Sequence, residues 1–241
     1  MKQYGLIGYP LTHSFSPDFF NQKFRLENIA AQYKAFPLST LYSFEALLAE
    51  HPNLSGLNVT IPYKTSIIPF LDELSDAAEK IGAVNCIQFA QGRLIGHNTD
   101  YIGFAESLKP LLQAKHQSAL ILGTGGASKA VAYALTELSI PYQYVSGTDS
   151  SALQYAAINQ EILAAHQIII NTTPLGMFPE SDTCPALPYH LLNENHLVYD
   201  LIYNPEQTKF LAAAAAQGAL TKNGSEMLYI QAEKSWAIWQ A

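Results

Sequence analysis

Cysteine is scarce in this sequence. Only Cys86 and Cys184 occur among 241 residues, which excludes a disulfide framework and is typical of reduced thiols in a cytoplasmic protein. No group of cysteines and histidines has the spacing of a zinc site, so we expect no bound metal. The sequence also lacks an apolar run near the ~18 residues of a membrane helix, and its start lacks the apolar segment of a signal peptide. We therefore expect neither export nor a membrane span.

Charged residues make up only 14% of the chain, and positively charged residues are fewer than negatively charged ones. Thirteen lysines and arginines against twenty acidic residues give a net charge of −7. This balance argues against nucleic acid or an anionic membrane as the partner. With 49% hydrophobic residues, the chain can bury one large core or two modest ones. We expect a globular protein whose partner is a small molecule.

Apolar periodicity predicts an α/β fold of two units. In the first unit, Ser16 is expected to be the N-cap and Pro17 the first residue of the first helix. A helical pattern over residues 101–112 leads into the second unit. The predicted strands are 4–7, 32–36, 57–59, 85–89, 93–96, 118–122, 142–146, 167–171, 197–201 and 219–222. The predicted helices are 17–27, 43–50 and 72–81, one from the glycine loop to about residue 139, one over 212–216, and a last helix that carries Gln231.

Polar side chains recur where these strands end. The segment from Gly56 to Lys64, GLNVTIPYK, ends a short apolar strand with an amide, a hydroxyl and an amine. Open α/β sheets usually bind small ligands at such strand ends. Taken alone, Lys64 has the alternative interpretation of a solvated lysine at the start of a helix.

A glycine-rich loop lies between an apolar strand and an alanine-rich helix. Its sequence is Gly123-Thr124-Gly125-Gly126-Ala127-Ser128. In this context backbone amides approach a pyrophosphate at the helix N-terminus, which predicts a dinucleotide site. The alternative is a tight turn without a cofactor. Ser128 replaces the third glycine and, being small, permits close packing; we expect it to cap the helix.

The chain resembles the shikimate dehydrogenase family over nearly its whole length. The family motifs HSxSP, NVTxPxK, GAVN and NTD occur in order at residues 13–17, 58–64, 82–85 and 98–100. The glycine loop, the segment NTTPLGM at 171–177, and GSEML at 224–228 followed by Gln231 complete the series. The resemblance implies a substrate domain formed by residues 1–102 and 223–241 and a Rossmann-type NADP-binding domain formed by 103–222. It also implies an active site in the cleft between the two domains.

The resemblance further implies the roles of individual residues. Lys64 and Asp100 are the expected catalytic pair, and their protonation is expected to be shared. Each substrate residue has a structural alternative, since Ser16 fits an N-cap, Asn85 a turn former and Gln231 a surface helix position. The expected substrate-binding residues are Ser14, Ser16 and Tyr203 for a carboxylate, and Thr60, Asn85 and Gln231 for ring hydroxyls. The expected cofactor-binding residues are Gly123, Thr124, Gly125, Gly126, Ala127, Ser128, Ser146, Gly147, Thr148, Asn171, Thr172, Thr173, Leu201 and Gly224.

The predicted cofactor domain departs from the family pattern at one position. NADP-using members commonly carry an arginine after the second strand of the cofactor domain, and here the residue is Gly147. Loss of that 2′-phosphate contact, together with a carboxylate at Asp149, keeps NAD(H) open as the alternative to NADP(H). Lys129 is a candidate for the compensating charge. About twenty residues separate the second and third strands of this domain, which leaves little room for a full crossover helix.

These observations lead to one main interpretation. The resemblance implies an NADPH-dependent shikimate dehydrogenase that reduces 3-dehydroshikimate, and we expect a monomer or homodimer. The alternatives are an NAD-dependent quinate/shikimate dehydrogenase and a non-catalytic homologue that binds shikimate-type acids.

Overall fold

The computed structural model describes residues 1–11 and 14–241, so His13 of the HSxSP motif lies outside the described residues. The chain forms two compact units. Unit 1 consists of Met1–Thr99 and Ala232–Ala241, and unit 2 is Asp100–Gln231. The expected domains had their boundaries at residues 102 and 223, and their assignment to substrate and cofactor stays a prediction.

Unit 1 contains a six-stranded mixed sheet. Its strands are β1 (Lys2–Gly8), β2 (Ala31–Pro37), β3 (Leu54–Val59), β4 (Glu73–Leu74), β5 (Cys86–Ala90) and β6 (Arg93–His97), and its helices are α1 (Phe15–Leu26), α2 (Phe44–Glu50) and α3 (Asp76–Ile81). The strand order is β2-β1-β3-β5-β6-β4. Strand β1 pairs in parallel with β2 and β3, whereas β5 runs antiparallel to β3 and β6.

Two helix starts in unit 1 differ from the prediction. Helix α1 begins at Phe15 with Ser14 in the N-cap position, so the predicted cap at Ser16 was wrong. Helix α3 begins at Asp76, not at residue 72, and the Ser75 side chain caps it. The preceding residues form β4, which pairs with β6. At α3, a strand partner distant in sequence therefore decides where the helix starts.

The sheet of unit 1 separates two apolar cores. On one face, Leu57 and Ile87 are fully buried in an aliphatic cluster. On the other face, aromatic rings surround Tyr4. Tyr4 stacks on Trp239 with ring centroids 4.9 Å apart, and the Trp239 indole nitrogen donates to the carbonyl oxygen of Ile87 at 3.0 Å. Burial on both faces leaves the strand ends as the place for polar groups.

Unit 2 contains a five-stranded sheet that is parallel throughout. The strands are β7 (Ala119–Leu122), β8 (Tyr142–Val145), β9 (Ile168–Asn171), β10 (Leu197–Asp200) and β11 (Leu220–Lys222), in the order β11-β10-β9-β7-β8. The helices are α4 (Asp100–Leu108), α5 (Gly126–Glu137), α6 (Gln160–Ala165) and α7 (Lys209–Ala215), and the last helix, α8 (Ser225–Gln240), begins in unit 2 and ends in unit 1. The chain leaves β7 for β8 on one side and continues with β9 on the other. This switch point, at the carboxyl ends of the strands, is where such sheets bind ligands.

The connection from β8 to β9 is short. Its only α-helix is α6, which has six residues. Unit 2 therefore has only this short helix between β8 and β9. In the described part of the chain, no helix has the length and hydropathy needed to cross a bilayer, and no cluster of three histidines, cysteines or carboxylates is suited to a metal ion.

Candidate functional site

The substrate residues predicted in unit 1 gather at one edge of its sheet. Thr60 follows β3, and its amide donates to the carbonyl oxygen of Ile7 in β1 at 2.9 Å. Asn85 precedes β5, and its amide donates to the carbonyl oxygen of His97, the last residue of β6, at 3.0 Å. Because β5 is antiparallel, its first residue lies at the same edge as the carboxyl ends of β1, β3 and β6. The sheet thus brings Thr60 and Asn85 together.

Backbone bonds also fix Lys64 at this edge. The carbonyl oxygen of Lys64 accepts a 2.7 Å hydrogen bond from the amide of Val84, the neighbour of Asn85. The Lys64 residue is half-buried. Ser14, in the N-cap position of α1, makes no side-chain hydrogen bond to that helix. The catalytic role of Lys64 and its alternative, a solvated lysine, both stay predictions.

Asn85 is more than a turn former. Its side chain is 3% exposed. Its Oδ1 accepts from the amide of Thr99 at 2.6 Å, and its Nδ2 donates to Oγ1 of Thr99 at 2.9 Å. These two bonds fix the orientation of the carboxamide.

The cofactor residues predicted in unit 2 lie where its strands end. The amide of Gly123 donates to Val145 at 2.8 Å, and the amide of Thr172 donates to Leu122 at 2.9 Å. The amide of Leu201 donates to the carbonyl oxygen of Asn171 at 3.0 Å, and the amide of Gly224 donates to the carbonyl oxygen of Ile202 at 3.0 Å. A Cβ at Gly224 would overlap the carbonyl oxygen of Leu201, so the approach of these two segments requires glycine.

The glycine loop has the geometry of an anion site. Gly123 has φ +104°, and a Cβ there would lie 2.9 Å from Oγ1 of Thr172. Gly125 is the N-cap of α5, and a Cβ there would have no atom within 4 Å. The open space lies beside the first turn of a twelve-residue helix, whose amides and dipole favour a phosphate. The loop therefore fits the pyrophosphate of a dinucleotide.

Ser128 does not cap helix α5, so that expectation was wrong. It lies within the helix, and its hydroxyl donates to the carbonyl oxygen of Gly125 at 2.6 Å. The residue is buried, with 1% exposed. Ser128 accordingly packs inside the unit, while Gly125 takes the cap position.

The loop after β8 is ordered by its own hydrogen bonds. The Ser146 hydroxyl oxygen accepts from the amides of Thr148 at 3.2 Å and Asp149 at 3.0 Å. One oxygen of Asp149 accepts from the amide and the hydroxyl of Ser151 at 2.9 and 2.6 Å. These bonds lower the pKa of the Asp149 carboxyl. The loop therefore presents an ionised carboxylate two residues after Gly147.

A buried carboxylate joins the loops that follow β9 and β10. Asp200 has no exposed surface. Its Oδ1 accepts from Nδ2 of Asn171 at 3.0 Å and from the amide of Ile202 at 3.1 Å, and its Oδ2 accepts from the Thr208 hydroxyl at 2.6 Å. Oδ1 of Asn171 in turn accepts from the amide and hydroxyl of Thr173 at 3.0 and 2.6 Å. The side chain of Asn171 thus supports loops that carry predicted cofactor-binding residues.

Burial raises the pKa of Asp200 to about 6. Because the folded state holds this proton more tightly than the unfolded state, the contribution of Asp200 to stability is lost as pH rises through 6. We expect the unfolding free energy of the wild type, relative to that of Asp200→Asn, to increase by about 1 kcal/mol from pH 7.5 to pH 5. Urea unfolding of both proteins at the two pH values measures this difference. A pH-independent difference would contradict the assignment.

The remaining site residues of unit 2 lie on helices α4 and α8 and after β10. Asp100 is the first residue of α4, where the helix dipole favours a carboxylate, and is 7% exposed. Gln231 is 8% exposed and its Nε2 donates to Leu228 at 2.9 Å, so it is not a surface residue. A Cβ at Gly103 would lie 3.2 Å from Cβ of Gln231, which shows how closely the two helices pack. Tyr203 is half-buried, and burial raises its pKa.

Three buried polar residues of the two sheets were given no role from the sequence. Asp200 carried a signal, because a charged residue directly follows the apolar run 197–199. Asn58 belongs to the NVTxPxK motif but was given no role. Tyr33 gave no signal, because an aromatic residue in a strand is ordinarily a core residue.

Comparison with known proteins gives a consistent result. Residues 6–87 match the family model described as the shikimate dehydrogenase substrate binding domain. A shikimate dehydrogenase (NADP(+)) from Aquifex aeolicus is 39% identical over 249 residues, covering 98% of this chain and 90% of the relative. The crystal structure of the Thermus thermophilus shikimate 5-dehydrogenase in complex with NADP(H) and shikimate has a TM-score of 0.88 and 31% identity, covering 99% of this chain and 93% of that one. Quinate dehydrogenase from Corynebacterium glutamicum, in complex with NAD, has a TM-score of 0.87 and 30% identity, covering 99% and 93%. This chain belongs to the shikimate dehydrogenase family.

Proposed function

We propose that this protein is an NADPH-dependent shikimate dehydrogenase that reversibly reduces 3-dehydroshikimate to shikimate, in the cytoplasm and on the route to chorismate and the aromatic amino acids. The main support is the match to NADP-dependent relatives along almost the whole chain together with the presence of Lys64 and Asp100. An open helix N-terminus at Gly125 supports a dinucleotide as the second ligand.

Lys64 and Asp100 are the proposed catalytic residues. Reduction of a ketone places negative charge on its oxygen, which then needs a proton. The Lys64 ammonium stabilises that charge and delivers the proton, and the Asp100 carboxylate accepts a hydrogen bond from a substrate hydroxyl. When bound, NADPH supplies the hydride.

The other polar residues recognise the substrate. The Ser14 and Ser16 hydroxyls and that of Tyr203 donate to the carboxylate, while Thr60, Asn85 and Gln231 contact the ring hydroxyls. Such a site rejects analogues that lack these groups, because its buried polar atoms are then left without partners. Turnover of shikimate, compared with quinate at equal concentration and with NADP⁺, tests this substrate assignment. A preference for quinate would contradict it.

An NAD-dependent quinate/shikimate dehydrogenase is the second candidate, favoured by one observation. The loop after β8 holds the Asp149 carboxylate beside Gly147, and an acidic residue in this region commonly holds the ribose 2′-hydroxyl of NAD. The same carboxylate repels a 2′-phosphate. Lys129, exposed in the first turn of α5, is the proposed counter-charge if NADPH is the cofactor.

Gly147→Arg is expected to raise the ratio of kcat/KM with NADPH to kcat/KM with NADH by about tenfold or more. A bidentate guanidinium-phosphate contact contributes about 1.5–3 kcal/mol, and only NADPH carries the phosphate. A Cβ at Gly147 has Tyr155 as its nearest neighbour at 3.9 Å, so the side chain has room. Gly147→Ala, which adds no charge, is the control. An unchanged ratio in Gly147→Arg would refute the placement of the 2′-phosphate beside this loop.

A further inference from the structure

A chain of buried polar groups crosses unit 1 beneath the edge that carries the substrate residues. The hydroxyl of Tyr33, on β2, donates to Oδ1 of Asn58, on β3, at 2.8 Å. The Ser16 side chain lies next to the same tyrosine hydroxyl and moderates the rise that burial causes in its pKa. Tyr33 is 2% exposed and Asn58 5%. Ser16, a proposed carboxylate ligand, therefore adjoins this chain of buried polar groups.

The other end of the chain reaches Asn85. Nδ2 of Asn58 donates to the carbonyl oxygen of Asn85 at 3.1 Å and to the Ser235 hydroxyl at 3.0 Å. Ser235 and Thr99 lie within hydrogen-bond distance of each other at 3.2 Å, and Thr99 holds the Asn85 carboxamide. Both N–H groups and the oxygen of Asn58 are therefore engaged, which fixes its orientation. Asn58 links the two sides of the proposed substrate site.

The packing of the Tyr33 ring does not depend on its hydroxyl. The ring stacks on Phe20 with centroids 4.7 Å apart and an interplanar angle of 12°, and it lies in the aromatic core around Tyr4. Apolar packing therefore holds the ring without the hydroxyl. Burying polar groups is costly unless every one is bonded, and an apolar pair would pack here at least as well. Stability alone therefore does not explain why these polar side chains are buried here.

We propose that Tyr33 and Asn58 are positioning residues for substrate binding. They hold the Ser16 hydroxyl and Asn85 in the geometry that receives the carboxylate and the ring hydroxyls. The proposal rests on the proposed function, since it assigns these two groups to the substrate. Neither Tyr33 nor Asn58 touches the substrate; each acts through its hydrogen-bond partner.

Tyr33→Phe tests the proposal, because it removes one hydroxyl and keeps the ring. We expect KM for 3-dehydroshikimate to rise about three- to tenfold, with kcat within about twofold and KM for NADPH unchanged. Tyr199→Phe is the matched control. Tyr199 is also fully buried, and its hydroxyl makes a single 2.8 Å bond to Ser107 in unit 2. We expect similar losses of Tm in the two variants and no change in KM in the control.

Three outcomes would overturn the proposal. The first is Tyr33→Phe with the Tm loss of the control and a wild-type KM for substrate, which would make the hydroxyl merely structural. The second is an equal rise of both KM values. The third is a rise in the KM for 3-dehydroshikimate that is as large when Tyr33→Phe is added to Ser16→Ala as when it is made in the wild type. If Tyr33 acts through Ser16, its replacement must have a smaller effect once the Ser16 hydroxyl is gone. The activity of the wild type is measured in the same assay. If the wild type has no activity, the proposed function is refuted, and this proposal with it.

Discussion

Lys64→Ala is expected to lower kcat for 3-dehydroshikimate reduction by about 10²–10⁴-fold, the usual contribution of a positioned proton donor. The backbone bond from Val84 holds residue 64 at the edge of the sheet whatever its side chain. The variant should therefore fold and keep the polar groups that recognise the substrate. The loss should fall on kcat more than on KM, because the ammonium acts on charge that develops in the transition state.

Steady-state kinetics of the purified variant measure this effect. Lys80→Ala is the control, because Lys80 lies exposed on the last turn of α3 in the same unit and should leave kcat unchanged. Calorimetric titration with shikimate checks that the site of Lys64→Ala is intact. A kcat within threefold of the wild type would remove Lys64 from the chemistry.

Gly125→Ala is expected to weaken NADPH binding at least tenfold while leaving the fold intact. The added methyl group has no protein atom within 4 Å, so it meets nothing in the folded chain. It points into the space where the pyrophosphate approaches the N-terminus of α5, and overpacking of a close contact costs about 1–3 kcal/mol. The free energy of unfolding should change by less than about 1 kcal/mol, because the only expected loss in the folded chain is that alanine is less favourable than glycine in the N-cap position.

Fluorescence titration with NADPH and urea unfolding measure the two quantities. Gly123→Ala provides the contrast, because φ +104° and contacts at 2.9 Å with Thr172 and Thr173 should make it lose both stability and affinity. Unaltered NADPH affinity in Gly125→Ala would show that the pyrophosphate does not bind at this loop.

The elements that local sequence specifies were predicted well. Strand β7 and helix α5 lie within about two residues of their predicted bounds, because an apolar run, glycines and an alanine-rich helix are all local signals. The starts of α1 and α3 were not. Ser14 and Ser16 both suit an N-cap, and only the folded chain shows that Ser14 takes this position. Residues 73–74 look helical until β6 pairs with them.

The site divides in the same way. Thr60, Lys64 and Asn85 were predicted as site residues because each lies at or after a strand end, and parallel and antiparallel pairing brings those ends to one edge. The buried hydrogen bonds of Asn58 and Asp200 were not predicted, because their partners lie far along the chain, from Tyr33 to Ser235 and from Asn171 to Thr208. No local pattern reveals which polar side chains will be buried together.

The most direct test of the proposed dehydrogenase activity is the loss of reduced-nicotinamide absorbance when the purified protein is given 3-dehydroshikimate. The assay is run in parallel with NADPH and NADH. We predict turnover that depends on 3-dehydroshikimate, with the higher kcat/KM for NADPH. A higher kcat/KM with NADH would contradict the NADP assignment and make Asp149 the selecting residue. No turnover with either nucleotide, from protein that binds shikimate, would contradict the account and identify a binding protein without catalysis.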